Sequence, residues 1–214
     1  MILIKKLFRY FSRKIYVMKN ILVVVLFCLG FYFKSFSQDL SEYNSFIKDN
    51  FPEFIEHFKI TDFKNFKVEN TNTLNLTDDV EVFKLNEWSD FLATDNEFFI
   101  YNTAKSYAVN FNTYGDIDQA VLLIDVDKKQ YQKLTFCGSP CRYEEAKWVN
   151  DAVVILVGGF EDNDKYNAVT KQSKYFGMLM IVDLDKKPRT IYFNRSDEAD
   201  TFFTGSLFKN RIWD

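Results

Sequence analysis

Proline and glycine are scarce in this chain, three and seven in 214 residues, and histidine occurs once. That scarcity excludes collagen-like and low-complexity chains, and no Pro/Gly/Ser linker divides the sequence. The single histidine, His57, is all that a Ser/His/Asp triad or Cys/His dyad could be built around, and nothing near it in sequence supports one. A surface or core role is the expectation for it. Three cysteines, Cys28, Cys137 and Cys141, are too few for a disulfide-dense scaffold. No apolar run is long enough for a comfortable membrane span. The stretch Ile21–Phe33 has 13 uncharged residues, and as a helix it would rise about 20 Å against a hydrocarbon core of about 30 Å.

That short run has the flanks of an export signal. Lys19 precedes it, Lys34 follows it, and Ser35 and Ser37 offer a small-x-small exit before Gln38. Cleavage before Gln38 is the expectation. The alternative is an N-terminal membrane anchor that recruits Ile15, Tyr16 and Val17 by drawing Lys19 toward the interface. Phe27 is too bulky to precede a lipid-attachment cysteine, which argues against a lipoprotein at Cys28. Residues 1–17 place five further basic residues ahead of a complete signal, so Met18 reads as the true start. The expected organisation is therefore 1–37 as upstream extension plus signal peptide, and 38–214 as one globular β-rich domain with a helical segment at 39–58.

Removal of the leader changes the charge. Seven of the 27 basic residues lie in 1–38 and none of the 30 acidic ones, so the remainder carries 20 against 30, a net charge of −10 instead of −3. Such a surface repels phosphate backbones, and nucleic acid is excluded as a partner. The abundant Phe, Tyr, Asn and Lys follow from A/T-rich codons and are not in themselves a sugar-binding signature.

From Leu40 the apolar residues fall at Tyr43, Phe46, Ile47, Phe51, Phe54, Ile55 and Phe58, the spacing of one helical face. Asp39 and Glu42 resemble a capping pair, and Asn50 with Pro52 predicts a break near Phe51. A polar Asn/Thr-rich stretch follows at Glu69–Asp79. The period then switches to short strand-like runs: Val80–Leu85, Phe98–Tyr101, Tyr107–Phe111, Ala120–Val126, Gln130–Phe136, Ala146–Val149, Val153–Val157, Met178–Leu184 and Thr190–Phe193. Tyr114-Gly115-Asp116, Val149-Asn150-Asp151 and Gly158-Gly159 read as turns between them.

One segment echoes itself. Ile124-Asp125-Val126-Asp127-Lys128-Lys129 returns 58 residues later as Val182-Asp183-Leu184-Asp185-Lys186-Lys187, each copy after an apolar run. Asp-x-Asp-Lys-Lys has the chemistry of a hairpin turn, with Asp side chains accepting from nearby backbone N–H groups and the lysines solvated. Trp88 and Trp148 precede the copies at similar range. The pattern resembles the blade rhythm of β-propellers, which implies Trp-bearing strands, hairpins and Asp-rich turns. A closed propeller needs more chain than this, so the expected fold is mainly β (α+β): twisted antiparallel sheets with two related, blade-like hairpin units and an N-terminal helical segment.

Candidate chemistry is sparse. In an exported chain Cys137 and Cys141 are expected to form a disulfide across the Gly138-Ser139-Pro140 turn and fix a loop. Cys-Gly-Ser-Pro-Cys also resembles the thioredoxin-type Cys-Gly-Pro-Cys with one residue inserted, which implies thiol-disulfide exchange. Against it, Arg142–Val149 is too short for the long helix that lowers the first thiol's pKa. Glu161-Asp162-Asn163-Asp164 starts like an EF-hand loop, but Tyr166 and Asn167 stand where a ligand and a glycine belong, so a solvated loop is expected. Gly158-Gly159 lacks any phosphate-binding extension. No metal and no cofactor is expected, and no catalytic residue can be named. What remains is a non-catalytic exported binding module of periplasm or medium, its partner an unknown protein or a glycan. A small thiol-disulfide oxidoreductase is the alternative, and membrane contact would run only through Ile21–Phe33.

Overall fold

A computed structural model describes residues 40–76, 80–82, 87–91, 99–112, 118–138, 141–170, 172–185 and 188–205. The expected export signal, Asp39 and the expected turn at Tyr114-Gly115-Asp116 lie outside the described residues.

The helical segment breaks where proline demands it. A 3-10 turn, Leu40–Tyr43, runs into α1 (Asn44–Asn50), and α2 (Pro52–His57) restarts one residue later. Pro52 disfavours a helical Phe51, which sits at φ −128° and ψ 53°. The Asn50 side chain donates to the Phe46 carbonyl at 2.9 Å. Lys59 takes the left-handed φ of 51°, and Ile60 N–H closes the end by donating to the Ile55 carbonyl at 2.8 Å. Leu40, Tyr43, Ile47, Phe51, Phe54 and Phe58 are all buried, the face that the sequence spacing marks.

Among the described residues ten strands follow: β1 (Phe66–Thr73), β2 (Glu81–Val82), β3 (Phe99–Tyr101), β4 (Tyr107–Asn112), β5 (Gln119–Asp125), β6 (Gln130–Cys137), β7 (Cys141–Trp148), β8 (Val153–Asn167), β9 (Gln172–Asp183) and β10 (Arg189–Ala199). They form two five-stranded antiparallel sheets, β1-β10-β9-β8-β7 and β2-β6-β5-β4-β3. Each is a four-stranded meander with one earlier strand added beside its last strand. The fold is mainly β with a short N-terminal helical segment, as expected.

The first sheet is central. Its Val153, Ile155, Val157, Leu179, Ile181, Ile191 and Phe193 meet the helical phenylalanines. Its Val154, Leu156, Met178, Met180 and Val182 meet Val109, Phe111, Val121, Leu123 and Leu134 of the second sheet. Burial on both faces explains why β8 and β9 contain continuous apolar runs instead of alternation. The far face of the second sheet packs Ala108, Ala120, Leu122 and Ile124 against Trp88 and Phe91 of a helical turn at 87–91. Strand β7 crosses the second sheet diagonally. Near its start Tyr143 bonds to Gln119 of β5, whereas at its end the Trp148 indole donates to the Ile100 carbonyl of β3 at 2.7 Å.

Both echoed segments fall at the connection between third and fourth strands of a meander. Asp125 accepts from the Lys128 N–H at 3.0 Å, and Asp183 from the Asp185 N–H at 3.0 Å. Lys128 is not simply solvated, since its Nζ returns to Asp125 at 2.8 Å. The tryptophans do not match in place: Trp88 lies in the helical turn and Trp148 in a strand.

Three local expectations are corrected. Glu69–Thr73 of the polar stretch is strand, because among the described residues β1 is an edge paired with β10 alone and needs no apolar face. Gly158-Gly159 is not a turn but lies inside β8, opposite the bulge where β7 carries an extra residue. A Cβ at Gly158 would stand 2.1 Å from the Arg142 carbonyl oxygen, so the close backbone approach requires glycine there. Glu161-Asp162-Asn163-Asp164 is not a loop, because β8 continues beside β9 as far as Asn167↔Gln172. The chain after Cys141 is strand throughout, with no helical turns before Trp148.

Candidate binding cleft

The two sheets are stitched together where β6 ends and β7 begins. Cys137 and Cys141 are disulfide-bonded with Cα atoms 5.2 Å apart. The intervening turn is tightened by the Cys141 N–H donating to the Gly138 carbonyl at 2.8 Å. Beside it, the buried Gln119 side chain does the work of a strand partner. Its Nε2 donates to the Tyr143 carbonyl at 2.9 Å and its Oε1 accepts from the Tyr143 N–H at 2.8 Å. Both backbone groups of an edge strand are thereby satisfied by one amide on the other sheet.

Next to this stitch a cleft of about 650 Å³ opens, walled by the two cysteines and lined further by Glu69, Asn70 and Asn72 of β1, Thr135 of β6, Tyr143 of β7, Phe160 of β8, Met178 of β9, and Tyr192 and Phe193 of β10. The volume is that of a small-molecule site. Its wall facing β1 is shaped by a bulge: Val68 pairs with Phe193 and Asn70 with Tyr192, leaving Glu69 as the extra residue. Tyr192 spans the gap between the sheets, its hydroxyl donating to the Leu134 carbonyl at 2.9 Å. Phe160 stacks on Phe176 with ring centroids 5.0 Å apart. Burial, with Tyr192 and Glu69 adding to it, pushes the Tyr143 phenol far above its ordinary pKa, so it stays a neutral hydroxyl. Among the described residues that line the cleft, Glu69 is the one charged side chain.

The residues singled out from sequence take different places. Cys137 and Cys141 are in the wall of the cleft, and behind Cys137 there is a strand, not a helix N-terminus. His57 is remote from it, on the helical face of the first sheet. Its Nε2 lies 2.9 Å from the Thr201 carbonyl and its ring meets Phe58 edge-on and Phe203 at a tilt, pinning the chain that follows β10. Among the described residues no three His, Cys, Asp or Glu side chains gather as a metal site.

Sequence reasoning missed Gln119, Glu69, Tyr143 and Tyr192, which only the sheet pairing brings together. It also missed a buried carboxylate. Glu144 is the extra residue of the bulge in β7, and its side chain is almost fully buried. Burial raises its pKa to about 7, against the opposing pull of Arg142 at 3.4 Å and of the Gly205 N–H at 3.3 Å, and with Glu145 raising it further. Glu144 and Glu145 do not line the cleft. A sequence signal existed in Tyr143-Glu144-Glu145-Ala146, where two acids interrupt a strand beside a glycine pair, but it is a weak one.

Comparison of the chain with protein-family models, with curated proteins and with solved structures finds no match. Its chemistry must therefore be read from the cleft itself.

Proposed function

We propose that the chain is an exported, non-catalytic binding module that takes its partner, a protein or a glycan, in the cleft beside the Cys137–Cys141 disulfide. The observation that carries this is the lining: among the described residues, aromatic side chains beside the amides of Asn70 and Asn72 and the carboxylate of Glu69. Hydrolytic work on a glycosidic bond ordinarily needs two carboxyl groups about 5–10 Å apart across the substrate, and among the described residues the cleft offers a single one, Glu69. Supporting export are the Lys19–Gln38 leader pattern and the disulfide, a bond favoured outside the cytoplasm. Among the described residues no helix is long and apolar enough to cross a membrane.

The test is recovery of the protein from periplasm or medium followed by N-terminal sequencing. A start at Gln38 is expected. Full-length protein confined to membranes would favour the N-terminally anchored form instead. The coincidence of both echoed turns at the third-to-fourth strand connection supports a further reading of the two meanders as one repeated hairpin unit.

A thiol-disulfide oxidoreductase is the second reading, favoured by Cys141 lining the cleft. It lacks the helix N-terminus that usually stabilises a catalytic thiolate. Insulin reduction that disappears in Cys137→Ser would support it, and equal rates in wild type and variant would end it.

A further inference from the structure

We propose that the segment after β10, residues 200–205, is a proton-controlled latch, closed on β7 while Glu144 is protonated and lifted at its Gly205 end when Glu144 ionises. This goes beyond the binding-module reading and stands whatever partner the cleft takes. The segment crosses the helical face of the first sheet strand by strand. Asp200 pairs with Lys174 and Phe202 meets Tyr175 edge-on at 5.7 Å, both on β9. The Phe202 ring then reaches Gly159 of β8, where a Cβ would stand 3.9 Å from it. Phe203 is buried against Phe54 and Phe58, and His57 holds the Thr201 carbonyl. Gly205 ends the crossing on the β7 bulge, its N–H donating to the Glu144 carboxyl at 3.3 Å. A Cβ on Gly205 would lie 2.4 Å from Glu145 Cγ and 2.6 Å from the Glu144 carbonyl oxygen, so the seat on the bulge requires glycine.

Beneath that seat the Glu144 side chain is only 2% exposed. A carboxylate withdrawn from water is tolerated only with close, well-aligned partners. Here both contacts are long, Arg142 Nε at 3.4 Å and the Gly205 nitrogen at 3.3 Å, and Glu145 adds a like charge. These are the groups among the described residues that act on Glu144, since the segment itself brings only Asp200, paired with Lys174, and His57 meets it at Thr201. The closed form therefore holds the proton up to about pH 7. When the Gly205 end lifts, the carboxyl meets water and returns toward its ordinary value near 4.5. The open form releases the proton first, so rising pH favours opening, by about tenfold between pH 6 and pH 8. Phe203 stays anchored among its aromatic partners, which confines the movement to the end beyond it. The bulge begins at Tyr143, a lining residue of the cleft, so latch and cleft share β7.

The experiment follows amide exchange and side-chain carboxyl shifts by NMR on the full chain from pH 5 to pH 8. In the wild type the Gly205 amide should be less protected than Ile155 and Ile181 of the central sheet, the mark of local opening. Its protection factor should fall about tenfold between pH 6 and pH 8, and by less than about twofold in Glu144→Gln. Gly205→Ala cannot take the seat on the bulge, so its Glu144 carboxyl should titrate near 4.5 instead of about 7. A Glu144 titration still near 7 in Gly205→Ala overturns the inference, because the burial then owes nothing to the segment. So does a Gly205 amide as protected as the central sheet. A Gly205 protection factor that stays constant with pH while those of Ile155 and Ile181 fall overturns it too, because Glu144 is then exposed by global unfolding alone.

Discussion

Replacing Glu144 with glutamine should flatten the dependence of stability on pH. In the folded protein the Glu144 carboxyl holds its proton up to about pH 7, whereas in the unfolded chain it loses it near 4.5. Between those values the folded state carries a proton that the unfolded state has released, so stability falls as pH rises. Any stabilisation present below pH 4.5 is lost by the time the folded carboxyl ionises near pH 7. At about 1.36 kcal/mol per pH unit the loss is about 3 kcal/mol. Its source is the desolvation of a carboxylate held beneath Gly205, which the Arg142 guanidinium and the Gly205 N–H offset only in part. Glutamine keeps the shape and the acceptor for Gly205 but carries no charge. Urea denaturation at pH 5 and pH 8, followed by tryptophan fluorescence, measures the difference. Relative to wild type, Glu144→Gln should be close to neutral at the lower pH and more stable by about 2–3 kcal/mol at the higher. Parallel pH profiles for the two proteins would refute the reasoning.

Other perturbations separate the stitches that shape the cleft. Gln119→Leu leaves the buried N–H and C=O of Tyr143 without their side-chain partner, and should cost about 2–4 kcal/mol in chemical denaturation; a loss below about 0.5 kcal/mol would mean that water or another group replaces the clamp. Gly158→Ala drives a Cβ to 2.1 Å from a backbone oxygen, whereas at Gly177 the nearest atoms are phenyl carbons at 3.2–3.3 Å. The first should destabilise by more than the usual 1–3 kcal/mol of overpacking and the second by about that amount or less, an order that thermal melts of the two variants can check. Opening the Cys137–Cys141 bond removes a loop with a sequence separation of 4, so reductant should lower stability by about 2 kcal/mol and leave a Cys137→Ser/Cys141→Ser variant unaffected.

Much of the fold was legible because burial writes itself into sequence. Val153–Val157 and Met178–Leu184 are uninterrupted apolar runs since both faces of the central sheet are covered. The three-and-four spacing from Leu40, with Pro52 behind Phe51, carried both the helical segment and its break. Strand β1 left no such trace. Phe66 is its one buried residue, and Phe66-Lys67-Val68-Glu69-Asn70-Thr71-Asn72-Thr73 reads as a polar connection because an edge strand is held by backbone bonds to one neighbour. The far halves of β8 and β9 were hidden for the same reason: Glu161-Asp162-Asn163-Asp164 pairs by backbone and needs no apolar side chain.

Of the cleft, the cysteines alone were readable, from their close spacing. Glu69 and Tyr192 lie more than a hundred residues apart and meet only because β1 joins the sheet beside β10. Bulges add a second layer that no residue pattern announces, since they turn Glu69 to the cleft wall and Glu144 to the interior through backbone register.

Hydrogen exchange on the full chain, with and without carbohydrate extracted from the cells that make it, puts the cleft to the sharpest trial. Slowed exchange is predicted for the strand segments bearing Thr135, Tyr143 and Tyr192, with no product released from the carbohydrate. Protection confined to the exposed end of the β8–β9 hairpin, around Tyr166 and Val169, with the cleft strands unchanged, would contradict it.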